Sequence, residues 1–149
     1  MIKLIKSAAF AGALLCGALL ASAPATADTP DLAVSNPGVV LLPIHLQGQF
    51  GASVTAAARL KLPFRAHVLG VSASARASGG SSPTLTVNVK EAGTTILSAP
   101  VAVTAGAVAE ATLADTAIAD EALVTVDLTI GGGSPTWDDI DVLITLARY

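Results

Sequence analysis

The chain has 149 residues and a formal net charge of −3; 52% of its residues are hydrophobic and only 13% charged. That composition excludes an intrinsically disordered chain, and the negative balance argues against a surface built to neutralise nucleic-acid phosphates. Thirty residues are Ala and five are aromatic, so the side chains are small, and the length suits one domain.

Met1 to Ala27 read as a secretory signal peptide. Lys3 and Lys6 form a basic start, Ala8 to Leu20 an apolar run of 13 residues, and Ala25-Thr26-Ala27 supplies small residues for cleavage after Ala27. Ala21-Ser22-Ala23 is a second cleavage option. The run is short for the roughly 30 Å of bilayer hydrocarbon, although an uncleaved anchor is a competing reading. Cys16 follows Leu15, where a lipidation signal wants a small residue, so it is not read as a lipid attachment site. Cleavage leaves 122 residues carrying a charge of −5 and no Cys, exported to the periplasm or beyond. Such a domain depends on its apolar core alone.

Asp28 to Gly38, with Pro30, Asn36 and Pro37, reads as a polar arm or linker, and residues 39–149 as one domain. Val39 to Leu46 is apolar, but Pro43 cannot donate a ladder hydrogen bond, so the segment belongs on a sheet edge. There it either completes its own sheet or adds to a neighbour's. Val54 to Leu62 and Phe64 to Arg76 are strands separated at Pro63. Thr84 to Lys90 alternates, with Leu85, Val87 and Val89 on one face. Ile96 to Val103 breaks at Pro100. Ala107 to Leu123 is ambiguous: Ala and Glu favour a helix, but helical spacing from Val108 would set Asp115 on the apolar stripe, so strand plus loop is preferred. Val124, Val126, Leu128 and Ile130 alternate with polar residues, as do Ile140, Val142, Ile144 and Leu146 for the most part. This period of two marks strands with one buried face. Ser78 to Pro83, Glu91 to Gly93, Ala105-Gly106 and Gly131 to Pro135 read as turns. Gly80-Ser81-Ser82-Pro83-Thr84 and Gly133-Ser134-Pro135-Thr136 echo one another, which suggests two similar hairpin loops on one rim or generic turn residues. The expectation is an all-β, single antiparallel β-sandwich of about eight short strands.

Leu62-Pro63-Phe64 through Leu146 resembles the small β-sandwich structural proteins of tailed-bacteriophage virions, of the head-decoration, tail or fibre type. The phrases that carry the resemblance are Val71-Ser72-Ala73, a Gly/Ser loop, Pro83-Thr84-Leu85-Thr86-Val87, Gly93-Thr94-Thr95-Ile96-Leu97-Ser98, Ile118-Ala119-Asp120 and the strand Val124 to Leu128. The resemblance implies a jelly-roll-like fold and a structural role. Two departures stand out: the leader, and Glu121 where a Gly turn is expected.

No catalytic constellation is read. Residues 28–149 hold no Cys and two isolated histidines, His45 and His67, and there is no Gly-x-Ser-x-Gly elbow. Two histidines do not make a zinc site. Asp138, Asp139 and Asp141 are the densest acidic group, with Asp115, Asp120 and Glu121 second; calcium on such loops is a minor possibility, as is a glycosidase carboxylate pair. Trp137, beside Asp138 and Asp139, is the candidate ligand-binding residue: an exposed Trp near carboxylates stacks on sugars, whereas a buried one caps the core. The four aromatic residues after Ala27 are too few for the girdles of a membrane barrel. The expected function is a non-enzymatic exported sandwich with a structural or adhesive role, self-associating or binding a surface or glycan, without cofactor. The alternative is a stand-alone lectin-like module that uses the Gly-rich rim and Trp137.

Overall fold

The structure, a computed structural model, describes residues 38–149; the leader, its cleavage after Ala27 and the polar arm up to Pro37 lie outside the described residues. Among those described there is no helix. Eight strands follow in order: β1 Val39–Phe50, β2 Val54–Lys61, β3 Ala66–Glu91, β4 Thr94–Thr95, β5 Val101–Val103, β6 Val108–Glu110, β7 Ala117–Ile118 and β8 Leu123–Arg148.

The long strands β3 and β8, of 26 residues each, pair antiparallel along their whole length, from Ala66↔Arg148 to Glu91↔Val124. Strand β1 joins the C-terminal half of β8, and β6 and β7 join the N-terminal half of β3, which gives one sheet in the order β1–β8–β3–β6/β7. At the other end β2 joins β8 while β5 and β4 join β3, which gives a second sheet, β2–β8–β3–β5/β4. Counting the halves of β3 and β8 separately makes eight segments along the chain, with β4/β5 and β6/β7 as the fifth and sixth. The first pairs with the last, the second with the seventh, the third with the sixth and the fourth with the fifth. The rolled ribbon closes by pairing the third with the last and the fourth with the seventh. This is a jelly roll.

Alternation supplies the core. Val71, Ala73 and Ala75 from one half of β3, Val87 and Val89 from the other, and Val126, Leu128, Val142 and Ile144 of β8 belong to a single buried cluster. No polar or charged residue is buried among those described.

The Gly-rich segments are not hairpin loops, contrary to the sequence reading. Both strands run through them, with Ser81 opposite Gly133 and Thr84 opposite Gly131. The reason is length: a straight 26-residue strand spans roughly 85 Å, too long for both halves to share one core. The ribbon therefore turns a corner there. Gly80 (φ 100°) and Gly132 (φ 115°) adopt the left-handed region, as do Ser82 (φ 48°) and Ser134 (φ 47°) two residues later. A Cβ on Gly132 would lie 2.6 Å from the Ser82 carbonyl oxygen, and one on Gly80 would press on the Ser134 carbonyl oxygen. The echo in the sequence is thus a Gly-x-Ser-Pro phrase used once by each strand of the corner.

The expected first piece of the Ile96 to Val103 strand does not form: the strands there are Thr94–Thr95 and Val101–Val103, with only an isolated bridge at Leu97 between them. Ala107 to Leu123 is strand and loop, β6 and β7, with Asp115 Oδ1 accepting the Ala117 N–H at 3.0 Å. Glu121 has φ 59°, so this position makes the left-handed turn despite lacking a Gly, and its carboxylate pairs with Lys61. Strand β1 is an edge that completes its own sheet. The Arg148 N–H bonds the Gly38 carbonyl, so in the alternating antiparallel ladder residues 38, 40, 42 and 44 face β8, while 39, 41, 43 and 45 turn their backbone outward. The missing N–H of Pro43 therefore falls on the open side, where it costs no ladder bond and blunts the edge.

Two predictions follow from the core and the corner. Val126→Asp or Ile144→Asp buries a charge among apolar side chains, costing several kcal/mol against a total stability of about 5–15, and should abolish folding; Thr125→Asp, on the opposite face, should leave the circular dichroism spectrum unchanged. Gly80→Ala and Gly132→Ala should each lower the melting midpoint far more than Gly93→Ala or Gly106→Ala, where φ is also positive but the space for a Cβ is open.

Candidate functional site

Asp138, Asp139 and Asp141, the densest acidic group of the sequence, lie together, and each is engaged by a neighbouring strand. Asp141 on β8 pairs with His45 of β1. Asp138 accepts a hydrogen bond from Gln49 Nε2 at 3.2 Å and lies 3.9 Å from Arg76 Nη2. Asp139 accepts the Gly48 N–H at 3.0 Å through one oxygen and Arg76 Nε at 2.7 Å through the other. These contacts tie β1, β8 and β3 together across the outer face of the first sheet.

Backbone irregularity creates the arrangement. The β1–β8 register shifts by one residue between Leu46 and Gln49, where Gly48 has φ 96°, and Asp139 itself has φ 46°. The extra residue in β1 frees a backbone N–H from the ladder and directs it to a side-chain oxygen. The Gly48 N–H first, then the Arg76 guanidinium, hold the Asp139 carboxyl below its ordinary pKa; the hydrogen bond to Asp139 in turn raises Arg76.

The second sheet repeats the device. Strand β2 shifts register against β8 between Val54 and Ala58, and Ala56 takes φ 50°. Its N–H donates to Asp127 Oδ1 at 2.7 Å, while Lys90 Nζ of β3 lies 2.7 Å from Asp127 Oδ2. Lys90 foremost, then the Ala56 N–H, lower the Asp127 pKa. In both sheets, then, a bulged edge strand, a β8 carboxylate and a β3 cation form one cross-strand staple.

The sequence reading brought Asp138, Asp139 and Asp141 together but did not find their partners. An isolated Gly inside a strand pattern, as at Gly48, signals a bulge. Ala56, within Ala56-Ala57-Ala58, carries no such signal.

Trp137 is separated from these acids by burial. It is 2% exposed, belongs to the core cluster, and its Nε1 has no hydrogen-bond partner among the described residues. The ring caps the core beside the corner and presents no face for sugar stacking. Among the described residues no three His, Cys, Asp or Glu side chains converge as metal ligands. His67 is exposed and stacks on Tyr149, with ring centroids 4.4 Å apart, and Arg148 lies over the Phe64 ring.

No family model matches the chain, and no curated protein does. Among solved structures it is similar to a chain of the cyanophage Pam1 capsid asymmetric unit, with 22% identity and a TM-score of 0.48, over 75% of this chain and 86% of that one. A chain of infectious bursal disease virus, Gx strain, shows 11% identity and a TM-score of 0.39, over 72% of this chain and 32% of that one. At these TM-scores the jelly-roll assignment rests on the strand pairing itself.

The staples set a pH dependence. A carboxylate whose pKa is depressed in the folded state adds stability above its unfolded pKa and loses it as pH falls through the folded value. Asp127→Asn with Asp139→Asn should therefore lower the urea midpoint at pH 7. The gap from the unaltered protein should begin to narrow below about pH 4, where the unfolded chain's carboxyls protonate, and vanish only once pH has fallen through the lower folded values of Asp127 and Asp139. A gap of constant size down to about pH 2 would show that the carboxylate charges contribute nothing.

Proposed function

We propose that this chain is a non-enzymatic structural subunit, exported by its leader and assembling with further copies or onto a surface. The observation that carries the reading is the use made of the charged side chains. Asp127, Asp138, Asp139 and Asp141, together with Lys90, Arg76 and His45, are engaged in holding strand to strand. A nucleophile or general base must be free to meet a substrate proton, whereas these groups already meet one another. The jelly roll they reinforce is a rigid scaffold with short connections, and its virion-like sequence phrases favour a building-block role. Export is supported by the basic start, the 13-residue apolar run and Ala25-Thr26-Ala27.

Expression of the full chain in a bacterial host tests both parts. The recovered protein should have the mass of residues 28–149 and elute, by size exclusion with light scattering, as a species larger than one chain. A protein that stays monomeric at millimolar concentration would overturn the assembly reading. One that keeps residues 1–27 and remains in the cytoplasm would overturn export.

A further inference from the structure

At the end of the sandwich opposite the corner, strand ends of both sheets meet. Arg65 precedes β3, Glu91 ends it, Tyr149 follows β8, and β7 lies beside them. Arg65, Glu91, Asp115 and Tyr149, with Ala117 and Ala119, line an open depression of about 400 Å³. Ligand clefts commonly measure roughly 300–1,000 Å³. Its two carboxylates are fixed to the backbone. The Thr116 carbonyl accepts the Val68 N–H at 2.7 Å, so residues 116 and 118 face β3 while 117 and 119 turn their backbone away. Asp115 Oδ1 accepts the Ala117 N–H at 3.0 Å, and Glu91 Oε1 accepts the Ala119 N–H at 2.7 Å. Each carboxylate thus holds one oxygen on this edge and has its second oxygen to offer. Arg65 lines the same depression, and among the described residues no ion pair joins it to either carboxylate. Tyr149 adds an aromatic ring. His67 stacks on that ring, with centroids 4.4 Å apart and planes 18° from parallel, yet Tyr149 remains 47% exposed.

We propose that this depression binds a neutral saccharide. The proposal goes beyond the subunit reading and does not rest on it, because every group involved belongs to one chain. The exposed aromatic beside acids that the sequence reading sought at Trp137 is found here, at Tyr149. A ring held in place by His67 offers an apolar surface to the C–H face of a sugar at little cost in side-chain entropy. The second oxygens of Asp115 and Glu91 accept hydrogen bonds, and the Arg65 guanidinium donates them. A hydroxyl both donates and accepts, so adjacent hydroxyls of one sugar satisfy both kinds of group. Charge narrows the choice. An anion is opposed by two carboxylates, and a cation must sit beside Arg65, whereas a neutral polyol is opposed by neither. A purely apolar ligand would strip water from three charged groups and give them no partner.

The test follows backbone amide signals of isotope-labelled protein, recovered from expression of the full chain, during titration with maltohexaose, cellohexaose, chitotetraose and mannotetraose, and separately with spermidine. At least one oligosaccharide should move the Ala117 and Ala119 amides saturably below about 10 mM, because their N–H groups bond the carboxylates that the sugar engages. The Gly48 and Ala56 amides, bonded to Asp139 and Asp127 in the staples, should not move. Tyr149→Ala and Arg65→Gln should each raise the dissociation constant at least about tenfold, provided circular dichroism matches wild type. Should either variant misfold, the shifts in the unaltered protein decide. If no oligosaccharide moves the two amides, or if sugars move only amides elsewhere, the site is wrong. If spermidine alone moves them, the depression takes a cation and the saccharide assignment fails. None of these outcomes touches the subunit reading, which is decided by the oligomeric state.

Discussion

The corner in the β3–β8 ribbon is the constraint on which the rest of the structure depends. Two strands of 26 residues carry apolar side chains on one face of each half, and those faces can bury one another only if the ribbon folds back on itself. The fold is made by Gly80 and Gly132, whose backbones approach the Ser134 and Ser82 carbonyls too closely for any Cβ. All other strands then take their places by pairing to a ribbon already divided into two sheets. Strands β1 and β2 dock on β8, and the short strands β4 to β7 dock on β3.

An edge strand that joins a sheet on one side only is held less firmly than a central one, and here β1 and β2 are fastened by the same means. A bulge in β1 or β2 turns a backbone N–H toward an aspartate on β8, and a basic residue of β3 takes the second oxygen of that aspartate. The bulge, which would otherwise be a defect in the ladder, becomes a fastening point. The acidic group that looks in the sequence like a candidate ligand shell is therefore part of the scaffold. The two sheets share this inner logic.

Period-two alternation determined much of this in the sequence alone. Val124 to Ile130 and Ile140 to Leu146 can be buried on one side only as strands, since side chains alternate across a pleated sheet. Pro43 put β1 on an edge because a ladder needs an N–H that proline lacks, and Asp115 set against a helical stripe kept Ala107 to Leu123 from being a helix. Each of these conclusions depends on residues within a few positions of one another. What the local chain could not decide was whether Gly-Ser-Pro segments end a strand or bend it. The same residues suit both, and only the partner strand across the corner distinguishes them. Trp137 is ambiguous in sequence for the same reason, since three residues separate it from the run of glycines before it and acids follow it directly, and burial follows from where the corner brings it. The partners of Asp127 and Asp139 come from strands dozens of residues away, through bulges whose register depends on the whole sheet. Local pattern therefore set the strands and their faces, while the tertiary structure decided the corner and the staples.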